Sequence, residues 1–292
     1  PTVPTATPTV PPATPADTPN STSSTGAPET LPSTSAVATT GAGDVSAVRL
    51  ALQAARDRWR AASVQTYEHQ YTVHCDCEPL AATVRVLGGR VLGTVDDRGL
   101  ELATVAEWFD VVAGAIATAD TVEVDFDDDL GHPLHLLVDP DGSTAGDEYG
   151  LDTAGFRVVN DPVRRWFTDS WGCGYQLVAA TPDQTAALVL QVGAGGAGWA
   201  EQPADVGGLT AAELRFGTDL MAGWCDGVLL NDAATPALDT TWTVTGGTLG
   251  LDVVRRSATG DARALVATTP GGVDVALGSV ELRNDAWGGS AG

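Results

Sequence analysis

The residues with the most constrained chemistry are four cysteines: Cys75 and Cys77 around Asp76, and Cys173 and Cys225 far downstream. A Cys-x-Cys pair supports thiol redox exchange, zinc ligation or a structural disulfide. Redox thiols need a pKa lowered by cations or a helix N-terminus. The neighbours here are Asp76 and Glu78, which act in the opposite direction. Zinc could draw on His74, Cys75 and Cys77 with His132 or His135, but alternation along a strand turns His74 away from both cysteines. Disulfides are the remaining chemistry. Pairing within each half of the chain favours Cys75–Cys77 with Cys173–Cys225 among the three connectivities that four thiols allow. Residues i and i+2 of a flat strand lie ~6.5 Å apart, near the upper limit for a bridge. The first pair therefore needs a bend or a strand end, which Pro79 supports. The second would close a long loop and contribute about 3–5 kcal/mol.

A second group is acidic. The stretch 121–149 holds the densest charge in the chain, with Asp127-Asp128-Asp129 in one turn and Asp139, Asp141, Asp147 and Glu148 in another. Carboxylates are the hard oxygen ligands that calcium takes, so Asp127, Asp129, Asp139, Asp141, Asp147 and Glu148 are the candidate metal residues. The first cluster lacks the alternating spacing and glycine of a calcium hand, and Asp139-Pro140-Asp141-Gly142 has the composition of an ordinary turn. The strand between the two turns spans ~16 Å, too far for one ion to collect both. Glycoside hydrolysis by paired carboxylates needs a cleft and a raised pKa, which no pattern here signals. GxSxG, HExxH, P-loop and Rossmann glycine patterns do not occur. The glycine-rich run 193–198 lacks the following helix and lysine of a phosphate loop. These motifs assign no catalytic residue and no cofactor.

Periodicity supplies the elements that would position these groups. Val48, Leu52, Ala55, Trp59 and Ala62 recur at spacings of four and three, one stripe of an amphipathic helix that Asp44 or Ser46 can cap. Over 66–77, Tyr67, His69, Tyr71, Val73, Cys75 and Cys77 share one face of a strand. Runs 82–87 and 90–95 make a hairpin around Gly88-Gly89. Thr104 and Glu107 form a capping box for a helix with Val105, Trp108, Phe109, Val112 and Ile116 along one side. The acidic hairpin, strands 122–126 and 134–138, and a last strand near 155–159 follow. This order predicts an α+β domain over 44–160, two helices on one face of an antiparallel sheet. Residues 161–292 lack helical periodicity. Seven short runs, at 175–180, 186–192, 213–219, 242–245, 248–254, 262–268 and 273–282, predict an all-β, sandwich-like domain. Gly246-Gly247 and Pro270-Gly271-Gly272 read as its turns. Trp166, Trp171, Trp224, Trp242 and Trp287 are core or edge-covering residues on this reading, and a cluster exposed on one face would indicate carbohydrate or protein binding.

The chain of 292 residues has room for about two domains. Residues 1–43 are almost entirely Pro, Thr, Ser, Ala, Val and Gly, with only Asp17 and Glu29 charged. Such a segment buries too little apolar surface to offset its ordering entropy, and it reads as a disordered stalk. With no initial Met and no signal sequence, an export signal is expected upstream, with a lipid anchor on an upstream cysteine as one option. The net charge is −23 and all 15 basic residues are Arg, a bias consistent with a GC-rich genome. That charge repels nucleic acid and anionic lipid, and no apolar run is long enough to span a membrane.

The order Trp59, Tyr67, Tyr71, Cys75-Asp76-Cys77, Val84-Arg85-Val86, Gly89 and Val91 is the first half of a recognisable pattern. Trp108-Phe109, residues 122–125, Gly131-His132-Pro133, Asp139 and Asp147-Glu148 are the second. Over about residues 48–158 the chain resembles the bacterial exported family called domain of unknown function six-one-seven-four, with Phe126 where the family has Tyr and His132 where it usually has Tyr or Phe. The resemblance implies an extracytoplasmic or lipoprotein domain with no established activity. Trp171-Gly172-Cys173-Gly174, the stretch 220–226 and Asn284 with Trp287-Gly288 resemble an uncharacterised β-rich domain of actinobacterial exported proteins.

The expected protein is therefore secreted or anchored at a bacterial cell surface, a non-catalytic binding or envelope-structural module. Its expected partner is an envelope or extracellular protein or glycan. An enzyme with its site between the two domains, or an inhibitor-like module for an exported enzyme, are the alternatives. Limited proteolysis is expected to trim the stalk and leave a stable fragment beginning near Asp44, read by mass; protection of the stalk at low protease would contradict this.

Overall fold

The structure, a computed structural model, describes residues 38–39, 45–75, 78–94, 103–193, 204–222 and 236–288. Most of the expected stalk, Asp76, Cys77, the run 194–198, Trp224 and Cys225 lie outside the described residues. The elements up to residue 158 are β1 (Ala38–Thr39), α1 (Val45–Ala62), β2 (Tyr67–His74), β3 (Leu80–Leu87), β4 (Arg90–Thr94), α2 (Val105–Thr118), β5 (Thr121–Phe126), β6 (Pro133–Asp139) and β7 (Tyr149–Val158). They form one antiparallel sheet in the order β1-β5-β6-β7-β2-β3-β4. The helix stripe appears as expected, with Val48, Leu52 and Ala55 buried. Thr104 and Glu107 close a reciprocal capping box on α2. Both helices lie against the same sheet, and their apolar sides join Tyr67, Tyr71, Val122, Val124 and Leu136 in one core.

One part of the sequence reading needs correction at the N-terminal edge. Ala38 and Thr39 fall inside the expected stalk, yet they pair antiparallel with Val124 and Glu123. Without them β5 would present a row of unpaired N–H and C=O groups, and Ala38 and Thr39 cover part of that edge. The trimmed fragment should therefore begin before Ala38.

The second half contains α3 (Pro162–Trp166), β8 (Asp169–Trp171), β9 (Gln176–Ala180), β10 (Ala186–Gln191), β11 (Ala204–Asp205), β12 (Ala211–Thr218), β13 (Ala237–Val254), β14 (Ser257–Thr268) and β15 (Asp274–Asn284). The sandwich expectation is overturned here. Instead of two facing sheets, the described residues form one sheet, β15-β14-β13-β12-β10-β9-β8, with β11 paired to β13. The expected turn at Gly246-Gly247 is a bulge inside the 18-residue β13. Matching irregularities cross the neighbours. In β14 the register shifts between Ala262 and Val266, with Ala264 at φ 50°, and Gly278 of β15 sits at φ 85°. Bulges bend and twist the strands that carry them, so three in line give the sheet a corner.

Beyond that corner the sheet's two ends meet. The Asn284 amide donates to Gln176 O at 2.7 Å, and Arg283 N–H donates to Ser170 Oγ at 2.8 Å. The sheet wraps a core containing Leu177, Leu188, Leu214, Trp242, Leu265 and Leu277. Asp161 locks the corner, accepting from Ser279 N–H at 2.8 Å in the space where Gly278 has no Cβ.

Gly278→Ala is expected to cost at least about 2 kcal/mol, because it strains a positive-φ position and overlaps Asp161 Oδ1. Urea denaturation reads this as a lower midpoint, and an unchanged midpoint would remove the corner's structural role.

Candidate functional site

The first sheet has two unlike faces. On β2, Tyr67, His69 and Tyr71 point to the helices and are buried, as alternation demands. Their rings continue into a cluster with Trp59, Trp108, Phe156 and His132; His132 stacks on Phe156 at 4.1 Å and Tyr71 meets Trp108 edge-on at 5.6 Å. Tyr67 Oη accepts from Val105 N–H at 2.9 Å, and burial pushes its pKa up to about 12. His69 is 2% exposed and neither ring nitrogen has a hydrogen-bond partner among the described residues. Burial, with a smaller contribution from His132, pushes it down to about 4. His132 is lowered chiefly by burial and donates from Nδ1 to Pro133 O at 3.3 Å.

The opposite face is open. Glu68, Gln70, Thr72 and His74 point outward along β2. Beside His74, on β7, Asp152 takes two imidazole hydrogen bonds: His135 Nδ1 donates to Oδ1 at 2.6 Å and His74 Nε2 to Oδ2 at 2.8 Å. The bond from His135 is the main reason that the Asp152 carboxyl lies below the usual carboxylate range, with His74 adding to it. A shallow trough of ≈ 260 Å³ adjoins Asp152, floored by small residues including Thr72, Ala81, Thr83 and Ala154. A second hollow of ≈ 490 Å³ beside His74 includes Leu137 and Tyr149, 40% and 37% exposed.

The residues singled out from sequence are distributed as follows. His74 and His135, two of the zinc candidates, do meet, but through Asp152, which no spacing rule marks. His132 lies on the buried face, as ring stacking against Phe156 requires. Cys75 and Cys173 are each disulfide-bonded; their pairing, with Cys77 and Cys225, lies outside the described residues. Among the described residues no group of three or more His, Cys, Asp or Glu is placed to hold a metal ion.

The acidic turns sit at opposite ends of β6. Asp127 caps its own turn, accepting from Asp129 and Leu130 N–H at 3.1 and 2.6 Å. Asp141 accepts from Ser143 and Thr144, bonds that lower its pKa. Asp139 is raised by desolvation and by Asp147, Glu148 and Asp120. Of the five Trp assigned to core or edge, Trp166, Trp242 and Trp287 are buried and Trp171 is half-buried.

A family model, described as a family of unknown function (DUF6174), matches residues 51–158. No curated protein matches the chain. Two solved structures are similar at 12% identity and a TM-score of 0.21. One is MucB in complex with MucA(peri), over 80% of this chain and 95% of that one. The other is the Pseudomonas aeruginosa MucA/MucB complex, over 79% and 92%. At that score the likeness carries no structural argument.

The buried histidine gives a signed expectation. In the unfolded chain His69 takes a proton near pH 6.5, and in the fold only near about 4. The neutral form's contribution is thus complete above pH 6.5 and falls away as pH drops toward 4, by about 3 kcal/mol at most. Thermal melts from pH 7 to 4.5 should show a steeper loss for the wild type than for His69→Phe. Parallel curves would assign the acid loss to other groups.

Proposed function

We propose, for a chain whose residues 51–158 match a family of unknown function, that the protein is a non-catalytic binding module of the cell envelope. Its partner, an envelope or extracellular protein, docks on the open face of the first sheet. The observation that carries this reading is the asymmetry of that sheet. One face is sealed by α1 and α2. The other keeps a trough of small residues, the half-exposed Leu137, and the His74–Asp152–His135 set in solvent. Exposed apolar side chains beside satisfied polar groups are what a docking surface presents. An enzyme would instead gather its perturbed titratable groups in a cleft. Here the most shifted groups, Tyr67 and His69, are sealed under the helices.

The Pro/Thr-rich stalk and the bonded cysteines support the extracytoplasmic placement. The proposed bridges remain Cys75–Cys77 and Cys173–Cys225, one in each half. The layout proposed is a stalk, an α+β part and a curled β part.

Affinity capture from envelope extract tests the reading. A protein held by the wild type should be lost with Leu137→Ala or Ala154→Arg, each on the open face. It should be retained with Val254→Asp, an exposed apolar position of the other sheet that is 62% accessible. Equal capture by all four proteins would remove the open face as the docking surface.

A further inference from the structure

A chain with a net charge of −23 and only 15 arginines gathers three of them at one cleft. Arg157 at the end of β7, and Arg164 and Arg165 of α3, line an open hollow of ≈ 560 Å³ with Val158, Val159, Asn160 and Asp161. The backbone around it is held on both sides. Val163 and Trp166 are buried in the second core, and the Asp161 carboxylate is tied to Ser279 N–H at 2.8 Å.

The guanidinium groups are oriented by one carboxylate. Glu68, whose side chain is 13% exposed, accepts from Arg157, from Arg165 Nε at 2.9 Å and from Trp166 Nε1 at 2.9 Å. A guanidinium carries five N–H donors, so this contact leaves both arginines with donors to spare. Arg164 makes no hydrogen bond or ion pair with any described residue. Among the described residues that line the cleft the one acid is Asp161, Glu68 lies behind its arginines, and both are engaged. Three arginines against two carboxylates leave a local positive excess on a molecule that otherwise repels anions.

We propose that this cleft binds an oxyanion head group (phosphate, sulfate or carboxylate), held by Arg164 with the outward donors of Arg157 and Arg165. Guanidinium groups already fixed by Glu68 lose little side-chain freedom on taking a second oxyanion. Their planar forks match the oxygen spacing of all three anions. The cleft's ligand is independent of what docks on the trough, because it rests on a different set of residues.

The test is an amide NMR titration of the full chain with sodium phosphate, sulfate or acetate, each against sodium chloride at matched ionic strength. At least one of the three should give saturable shifts centred on residues 157–165, and the tightest identifies the head group. Arg164→Gln should weaken that binding about tenfold or more. Arg49→Gln, the same charge change on an exposed face of α1, should leave it unchanged. Shifts that follow chloride, fail to saturate, or persist equally in Arg164→Gln would overturn the proposal.

Discussion

The carboxylate of Glu68 is the interaction on which the joining of the two halves depends. It belongs to β2 of the first sheet, yet its donors come from β7 and from α3, whose Trp166 is packed in the second core. Removing one partner from such a half-buried charge costs far more than an exposed ion pair is worth, because the remaining group has lost its water. The β3–β4 hairpin makes the same connection with apolar atoms. Leu87 and Leu92 are counted in the second core. A Cβ at Gly88 would stand 2.7 Å from the Trp242 ring. Arg90 of the same hairpin pairs with Asp239 at 2.9 Å and lies over the Phe216 ring. Residues from Ser35 onward accordingly behave as one compact unit, with two cores that share a wall.

That shared wall accounts for the shape of the second sheet. A sandwich needs a second sheet to cover its inner face. Here the sheet covers itself by bending at Gly246-Gly247, Ala264 and Gly278. The β3–β4 hairpin and α3 add the remaining apolar cover. Glycine is required at Gly278 because the space of its missing Cβ is filled by Asp161. The polar group that anchors α3 is therefore the one that fixes the corner, and it lies at the rim of the arginine cleft.

Much of this was legible beforehand where local physics decides. The stripe of Val48, Leu52 and Ala55, the Thr104–Glu107 capping box and the Gly88-Gly89 hairpin follow from short-range rules, and the structure carries each of them. The Gly246-Gly247 pair shows where those rules end. Two glycines after a strand signal equally a turn or a bulge, and only pairing of the flanking residues with one continuous β14 selects the bulge. The candidate site was half visible. His74 and His135 stood out by residue type, but Asp152, 78 residues from His74, carried no signal. Neither did the meeting of Glu68 with Arg157 and Arg165, 89 and 97 residues away.

By itself, the sequence determined the composition of the stalk, the acidic charge, the order of helices and strands from α1 through the first half, and which side chains share each strand face. Those follow from chain stiffness, charge count and the periods of 3.6 and 2. Only the tertiary structure decided that α1 and α2 cover the face with Tyr67, His69 and Tyr71. That choice left Asp152 and its two histidines in solvent, and brought Arg157 and Arg165 onto one glutamate. A period of two divides a strand into two faces without saying which will be buried. The decision belongs to long-range register and to the helices that find the more apolar side.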